Sequence, residues 1–149
     1  MREGGWADDP RDIVSLGRVL ERAALYERSE AEYRRALRGE SRDAEHAQAQ
    51  RFAMLRLAAR AKRDGAHAAA VELWQQAAGA GDWLALRELA LHHEHRSRDL
   101  PAALSAVETG LGRLDGEHGP GTRRAVEDFH RRRQRLLAKL SRRHRFSSV

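Results

Sequence analysis

Residues 54–81, MLRLAARAKRDGAHAAAVELWQQAAGAG, decide how this chain folds. Met54, Leu57, Ala58 and Ala61 recur at spacings of three and four, the period of one face of an α-helix, and Leu55 widens the stripe. Asp64-Gly65 stops the run, because glycine takes the left-handed conformation that ends a helix without a Cβ penalty. A second stripe runs through Ala70, Val71, Trp74, Ala77 and Ala78 until Gly79 and Gly81 close it. Small residues around one large ring let two helix backbones approach closely, so the stretch predicts an antiparallel helix hairpin. A hairpin this short cannot bury both of its apolar faces alone and predicts similar neighbours.

The pattern resembles a tetratricopeptide repeat, a helix pair of about 34 residues with small or apolar residues at set positions. Leu57-Ala58, Ala61, Gly65, Ala70, Trp74 and Ala77 occupy those positions here. The template finds Leu16-Gly17, Leu20, Ser29, Tyr33 and Ala36 upstream, and Leu89-Ala90, His93, Ala103, Val107 and Leu111 downstream, with Gly110 where Ala is usual. The resemblance implies an all-α fold: a short right-handed α-solenoid of about three hairpins (about 10–38, 51–81 and 83–113) with a C-terminal capping helix over about 122–141. The 149 residues then form a single repeat domain with a tail from 142.

Outward from the hairpin, Asp9-Pro10-Arg11-Asp12 is a helix start: Asp9 accepts from free amides, Pro10 suits the first helical position, and Asp12 favours the positive end of the dipole. The first helix is expected to reach about Leu25. Ser29-Glu30-Ala31-Glu32 reads as a capping box that opens the second and puts a turn near Arg28. Further helices are expected over about 42–62, 66–78, 82–94 and 100–111. Gly112 to Gly121 reads as a linker, and Thr122 then caps a last helix with Ala125, Val126, Phe129, Leu136, Leu137 and Leu140 at its apolar positions. Phe146 falls in a frayed tail.

The absence of cysteine excludes disulfides and thiolate metal sites. The amino terminus, MREGGWADDP, has no apolar core of a signal peptide, and no stretch approaches the roughly 20 apolar residues that cross a bilayer. A cytoplasmic protein without a membrane partner is expected. The net charge of +6 belongs to the last helix, where residues 123–145 hold ten Lys or Arg against Glu127 and Asp128. Arg123, Arg124, Arg131, Arg132, Arg133, Arg135, Lys139, Arg142 and Arg143 are therefore candidates for a nucleic-acid surface, since cations that neutralise phosphates release condensed counterions. The alternative is the solvated side of a capping helix, with Arg stems over apolar surface and heads in water.

The groove of a tetratricopeptide array is lined by the first helix of each pair. By alignment Arg18, Arg22, Arg56, Lys62, Arg63 and Arg87 are candidates to face it, and they suit an acidic peptide or a protein partner. The chain has no Asn, which argues against the chaperone-binding carboxylate clamp of some such proteins. His92-His93-Glu94-His95 invites a metal reading, but no third ligand and no HExxH pattern accompany His92 and His95. Ser and Asp residues occur without a nucleophile elbow, a phosphate loop or paired carboxylates, so neither an enzyme nor a cofactor is expected.

A second resemblance joins residues 89–111, with Glu94-His95-Arg96, Asp99 and Ala103-Leu104, to residues 129–140, with Arg135-Leu136 and Lys139-Leu140. These look like the helical carboxyl-terminal region of YprB-type proteins, in which a ribonuclease H-like exonuclease domain precedes the helices. Arg11-Asp12-Ile13-Val14-Ser15-Leu16 resembles the end of that nuclease domain, which makes Asp12 the counterpart of a metal-binding Asp. The other carboxylates of such a centre would precede residue 1, and one Asp does not hold the ions of that chemistry. The resemblance therefore implies a nucleic-acid-processing context without the nuclease. A non-catalytic scaffold for a protein or peptide is expected, and a nucleic-acid-binding accessory module is the alternative.

Overall fold

In a computed structural model, which describes residues 9–148, the chain is all-helical. The described residues form α1 (Pro10–Arg22), α2 (Tyr26–Arg38), α3 (Ala44–Arg63), α4 (His67–Gly79), α5 (Trp83–His95), α6 (Leu100–Leu114) and α7 (Pro120–Ser147), with no strand among them. Aspartate opens four of these helices: Asp9, Asp43, Asp82 and Asp99 each accept a first-turn amide, at 2.8, 2.8, 3.1 and 3.0 Å. Such caps satisfy amides that have no intrahelical partner. No helix is long and apolar enough to cross a membrane among the described residues.

Three helices have no side-chain cap, and of these α2 and α4 follow turns in which the preceding helix ends tightly. Leu25 N–H donates to Leu20 C=O at 2.9 Å and Ala24 N–H to Glu21 C=O at 3.0 Å; Ala66 and Gly65 repeat the pattern on Ala61 and Lys62 at 2.8 and 3.2 Å. Each turn needs one left-handed residue, and these are Gly65 (φ +78°) and Ala24 (φ +58°). The first was expected. The second was not, because Ala gives no turn signal. The expected extension of α1 to Leu25 and the expected turn near Arg28 are thus corrected to a turn over residues 23–25. Ser29 is no cap: it is buried inside α2 and its hydroxyl donates to Gly17 C=O of α1 at 2.8 Å.

The chain divides into two compact units, one ending at Ala80 and one beginning at Gly81. In the first, α1 packs on α2 and α3, and α3 also packs on α2 and α4. Ile13, Val14, Tyr33, Ala36, Ala53 and Leu57 form one core cluster, with Phe52 edge-on to Tyr33 at 6.2 Å; Ala58, Ala70, Trp74 and Ala77 are buried beside them on α3 and α4. A Cβ on Gly17 would stand 2.6 Å from the Tyr33 ring, so only glycine lets α2 come this close.

In the second unit, α6 packs against both α5 and α7. Leu86, Leu89, Ala90, Val107, Leu114, Phe129 and Leu136 are buried there. Gly110, which stands where the repeat template has Ala, receives the Phe129 ring: a Cβ there would lie 2.7 Å from it. The linker is shorter than the expected 112–121. Gly112 ends up inside α6, Gly119 is the residue before α7, and Pro120 opens α7, so Thr122 caps nothing. The tail is helical to Ser147, and Phe146 stands on that helix 82% exposed.

These close approaches and the Ala24 turn give substitutions of opposite sign. Gly17→Ala and Gly110→Ala should each cost about 1–3 kcal/mol, because an aromatic ring must move within a packed core. Ala24→Gly should gain about 0.5–1 kcal/mol by relieving a left-handed Ala. Urea denaturation followed by circular dichroism measures all three, and a neutral Gly17→Ala would refute the close crossing of α1 and α2.

Candidate binding site

Helical spacing places Arg18 and Arg22 one turn apart on α1, and Arg56 and Arg63 two turns apart on α3. Because α1 and α3 pack together, these four arginines line one open hollow of about 390 Å³, completed by Glu21, Tyr26 and Phe52. Four of the six groove candidates thus converge. The other two do not line it: the Lys62 ammonium lies 5.8 Å from the Trp74 ring of α4, and Arg87, on α5, pairs with Asp128 at 3.4 Å and Glu88 at 3.7 Å.

The single carboxylate of the hollow is already engaged. Glu21 accepts from Tyr33 Oη at 2.9 Å and from Arg56 Nε at 3.1 Å, and Arg56 Nη2 donates to its second oxygen. Burial alone would raise the Glu21 carboxyl, but the hydrogen bonds from Arg56 and Tyr33 prevail and hold it below the usual range. On the other side of that bond, burial and then Glu21 push the Tyr33 hydroxyl up to about 12. Glu21 stays ionised and bound to Arg56, while Arg22 and Arg63 are exposed and form no ion pair among the described residues. Arg18 rests on the Phe52 ring, 5.1 Å from its centroid, and Arg60 lies 5.3 Å from that of Tyr26.

The nine candidates on α7 separate into two groups. Glu94 of α5 has a side chain only 1% exposed, and three cations of α7 converge on it. Arg135 binds it through two parallel bonds of 2.9 Å, Lys139 Nζ donates at 2.7 Å, and Arg132, itself buried, lies 3.9 Å away while bonded to Asp128 at 3.0 Å. Arg133 leans on Glu108 at 3.4 Å, and Arg143 reaches Arg98 C=O at 3.5 Å. Arg123, Arg124 and Arg131 are exposed and form no ion pair among the described residues; Arg142 is exposed too and touches only its own helix, at Ala138 C=O. Spacings of seven and eleven residues keep Arg124, Arg131 and Arg142 on one face of α7. A larger trough of about 830 Å³ at the start of α7 mixes Arg123 and Arg124 with Glu117 and Glu127, and so has no uniform sign.

The histidines gather no metal site. His92 and His93 meet edge-on at 5.4 Å, His93 faces the Ser97 hydroxyl at 3.1 Å, and His95 lies 3.7 Å from Glu94. Asp12 is exposed in the first turn of α1. Among the described residues no group of three or more His, Asp or Glu side chains is placed to hold a metal ion. Comparison of the chain with family models, with curated proteins and with solved structures returned no match.

The Glu94 cluster predicts an acid-sensitive second unit. The hydrogen bond from Arg135, opposed by burial and reinforced by Lys139, holds the Glu94 carboxyl at about 2 instead of 4.5. A carboxyl lowered by folding contributes stability in full above pH 4.5, and loses it as pH falls toward 2. Glu94→Gln should cost about 2–3 kcal/mol at pH 7, below the usual penalty for breaking a buried pair because Arg135 and Lys139 keep partial contact with water. It should also flatten the acid limb. Urea denaturation of both proteins between pH 2 and 7 checks this, and parallel acid limbs would remove Glu94 from the account.

Proposed function

We propose that this chain is a non-catalytic, tetratricopeptide-like helical scaffold whose arginine-lined hollow holds an acidic segment of a partner protein. The supporting observation is the convergence of Arg18, Arg22, Arg56 and Arg63 around one carboxylate that Arg56 already neutralises. The hollow therefore keeps an uncompensated positive charge at fixed positions. The helix hairpins α1–α2, α3–α4 and α5–α6, with Gly17 against Tyr33 in the first, support the repeat reading. Arrangement of the hairpins as a right-handed solenoid belongs to the same proposal, as does a cytoplasmic location.

One observation favours a second reading. Arg124, Arg131 and Arg142 form an exposed stripe along α7, which suits the phosphates of a nucleic acid and agrees with the processing context implied by the YprB-type resemblance. It is narrower than the charge count suggested, because Arg132, Arg135 and Lys139 are engaged in holding α7 to α5.

Fluorescence anisotropy separates the two. A labelled Glu/Asp-rich peptide should bind the native chain and lose about tenfold or more when Arg22 and Arg63 are both changed to Gln, each being exposed and in no ion pair among the described residues. Labelled single- and double-stranded RNA and DNA, titrated at several salt concentrations, test α7. If nucleic acid binds and the Arg124→Gln/Arg131→Gln/Arg142→Gln variant lowers its salt slope by about 2–3, while the acidic peptide does not bind, the second reading replaces the first.

A further inference from the structure

We infer that the group held in this hollow is a doubly charged phosphate monoester on a partner peptide, a phosphoserine or phosphothreonine side chain. The inference rests on the acidic-partner reading and narrows it. A lone carboxylate is matched by one guanidinium fork, as Arg56 matches Glu21. Beyond that matched pair, Arg18, Arg22 and Arg63 remain at the rim of about 390 Å³, a space that admits a phosphate with its flanking backbone but not a folded domain. Three arginines lining one hollow exceed what a single negative charge can use. They suit a dianion with three acceptor oxygens.

The side-chain positions agree with that geometry. Arg18 lies on the Phe52 ring, and a guanidinium resting on a ring keeps its in-plane N–H donors available for an anion while losing little freedom on binding. All four candidates are arginines, the side chain whose planar fork meets phosphate bidentately. Each of the two rings of the hollow has a guanidinium over it, Arg18 at Phe52 and Arg60 at Tyr26, which leaves less ring surface for a base to stack on.

The test uses the full chain and three fluorescent peptide libraries, degenerate except for a central phosphoserine, glutamate or serine. The phosphoserine library should bind about tenfold or more tightly than the glutamate library, and the serine library least. Arg22→Gln and Arg63→Gln should each reduce the phosphoserine preference, whereas Arg124→Gln should leave it unchanged. Inorganic phosphate should compete at millimolar concentration. Equal binding of the phosphoserine and glutamate libraries, both lost with Arg22→Gln/Arg63→Gln, overturns the dianion inference and leaves the acidic-partner reading intact. No binding of any library overturns both. Tighter binding of a random single-stranded RNA, lost with the same double variant, overturns both in favour of a nucleic-acid site at the hollow.

Discussion

An aromatic ring pressed onto a bare helix backbone is the contact on which both units depend. Tyr33 lies over Gly17 in the first and Phe129 over Gly110 in the second, each so near that a methyl group would stand under 3.0 Å from the ring. Interior packing at this density tolerates no added atom without movement. The contact also does positional work. With Tyr33 seated on α1, its hydroxyl reaches Glu21 from one side while Arg56 reaches the same carboxylate from α3, so three helices are tied at one partly buried charge. The hollow is the outer face of that junction.

Two carboxylates, Glu21 partly buried and Glu94 buried, then sort the cations of this basic chain. Arginine is abundant on α1, α2, α3 and α7, and composition alone treats all of it as surface charge. Glu21 withdraws Arg56, and Glu94 withdraws Arg135, Lys139 and, more weakly, Arg132. Breaking such pairs is costly because the charge left behind has lost its water. Among the candidate residues, what remains outside is a smaller and better defined set: Arg18, Arg22 and Arg63 at the hollow, and Arg124, Arg131 and Arg142 along α7. The first set is concave and shares two rings. The second lies on one side of a long helix.

The residues that carry the two resemblances stand in different surroundings. Template positions Ser29, Tyr33, Ala36, Ala58, Ala70, Trp74, Ala77, Ala90, Ala103 and Val107 are all buried, as an interlocking helix pair requires. Leu16 is half-exposed instead, and Ser29 serves as a donor to the neighbouring backbone. The YprB-type resemblance included Glu94 and the Arg135 and Lys139 steps. These form one ion cluster that fastens α7 to α5, a structural task for residues first considered as a ligand surface.

The sequence by itself determined the helices. Their starts were written in Asp9 and Pro10, and one of their ends in Gly65, because capping and left-handed turns are local chemistry readable from one residue and its neighbours. It also determined the stripes that form the core, since a period near 3.6 puts Leu57, Ala58 and Trp74 on inward faces whatever the helices pack against. Tertiary structure decided the rest. Ala24 takes a turn normally given to glycine, and no local signal marks it. Ser29 lost its capping role because Gly17, twelve residues earlier, offers a carbonyl at a close crossing. The hollow joins residues 18–26 to residues 52–63, and the division of arginines into paired and unpaired depends on Glu21 and Glu94, whose cationic hydrogen-bond partners lie 35 and 41–45 residues away. Charge is a property of the residue; whether that charge is available is a property of the packing.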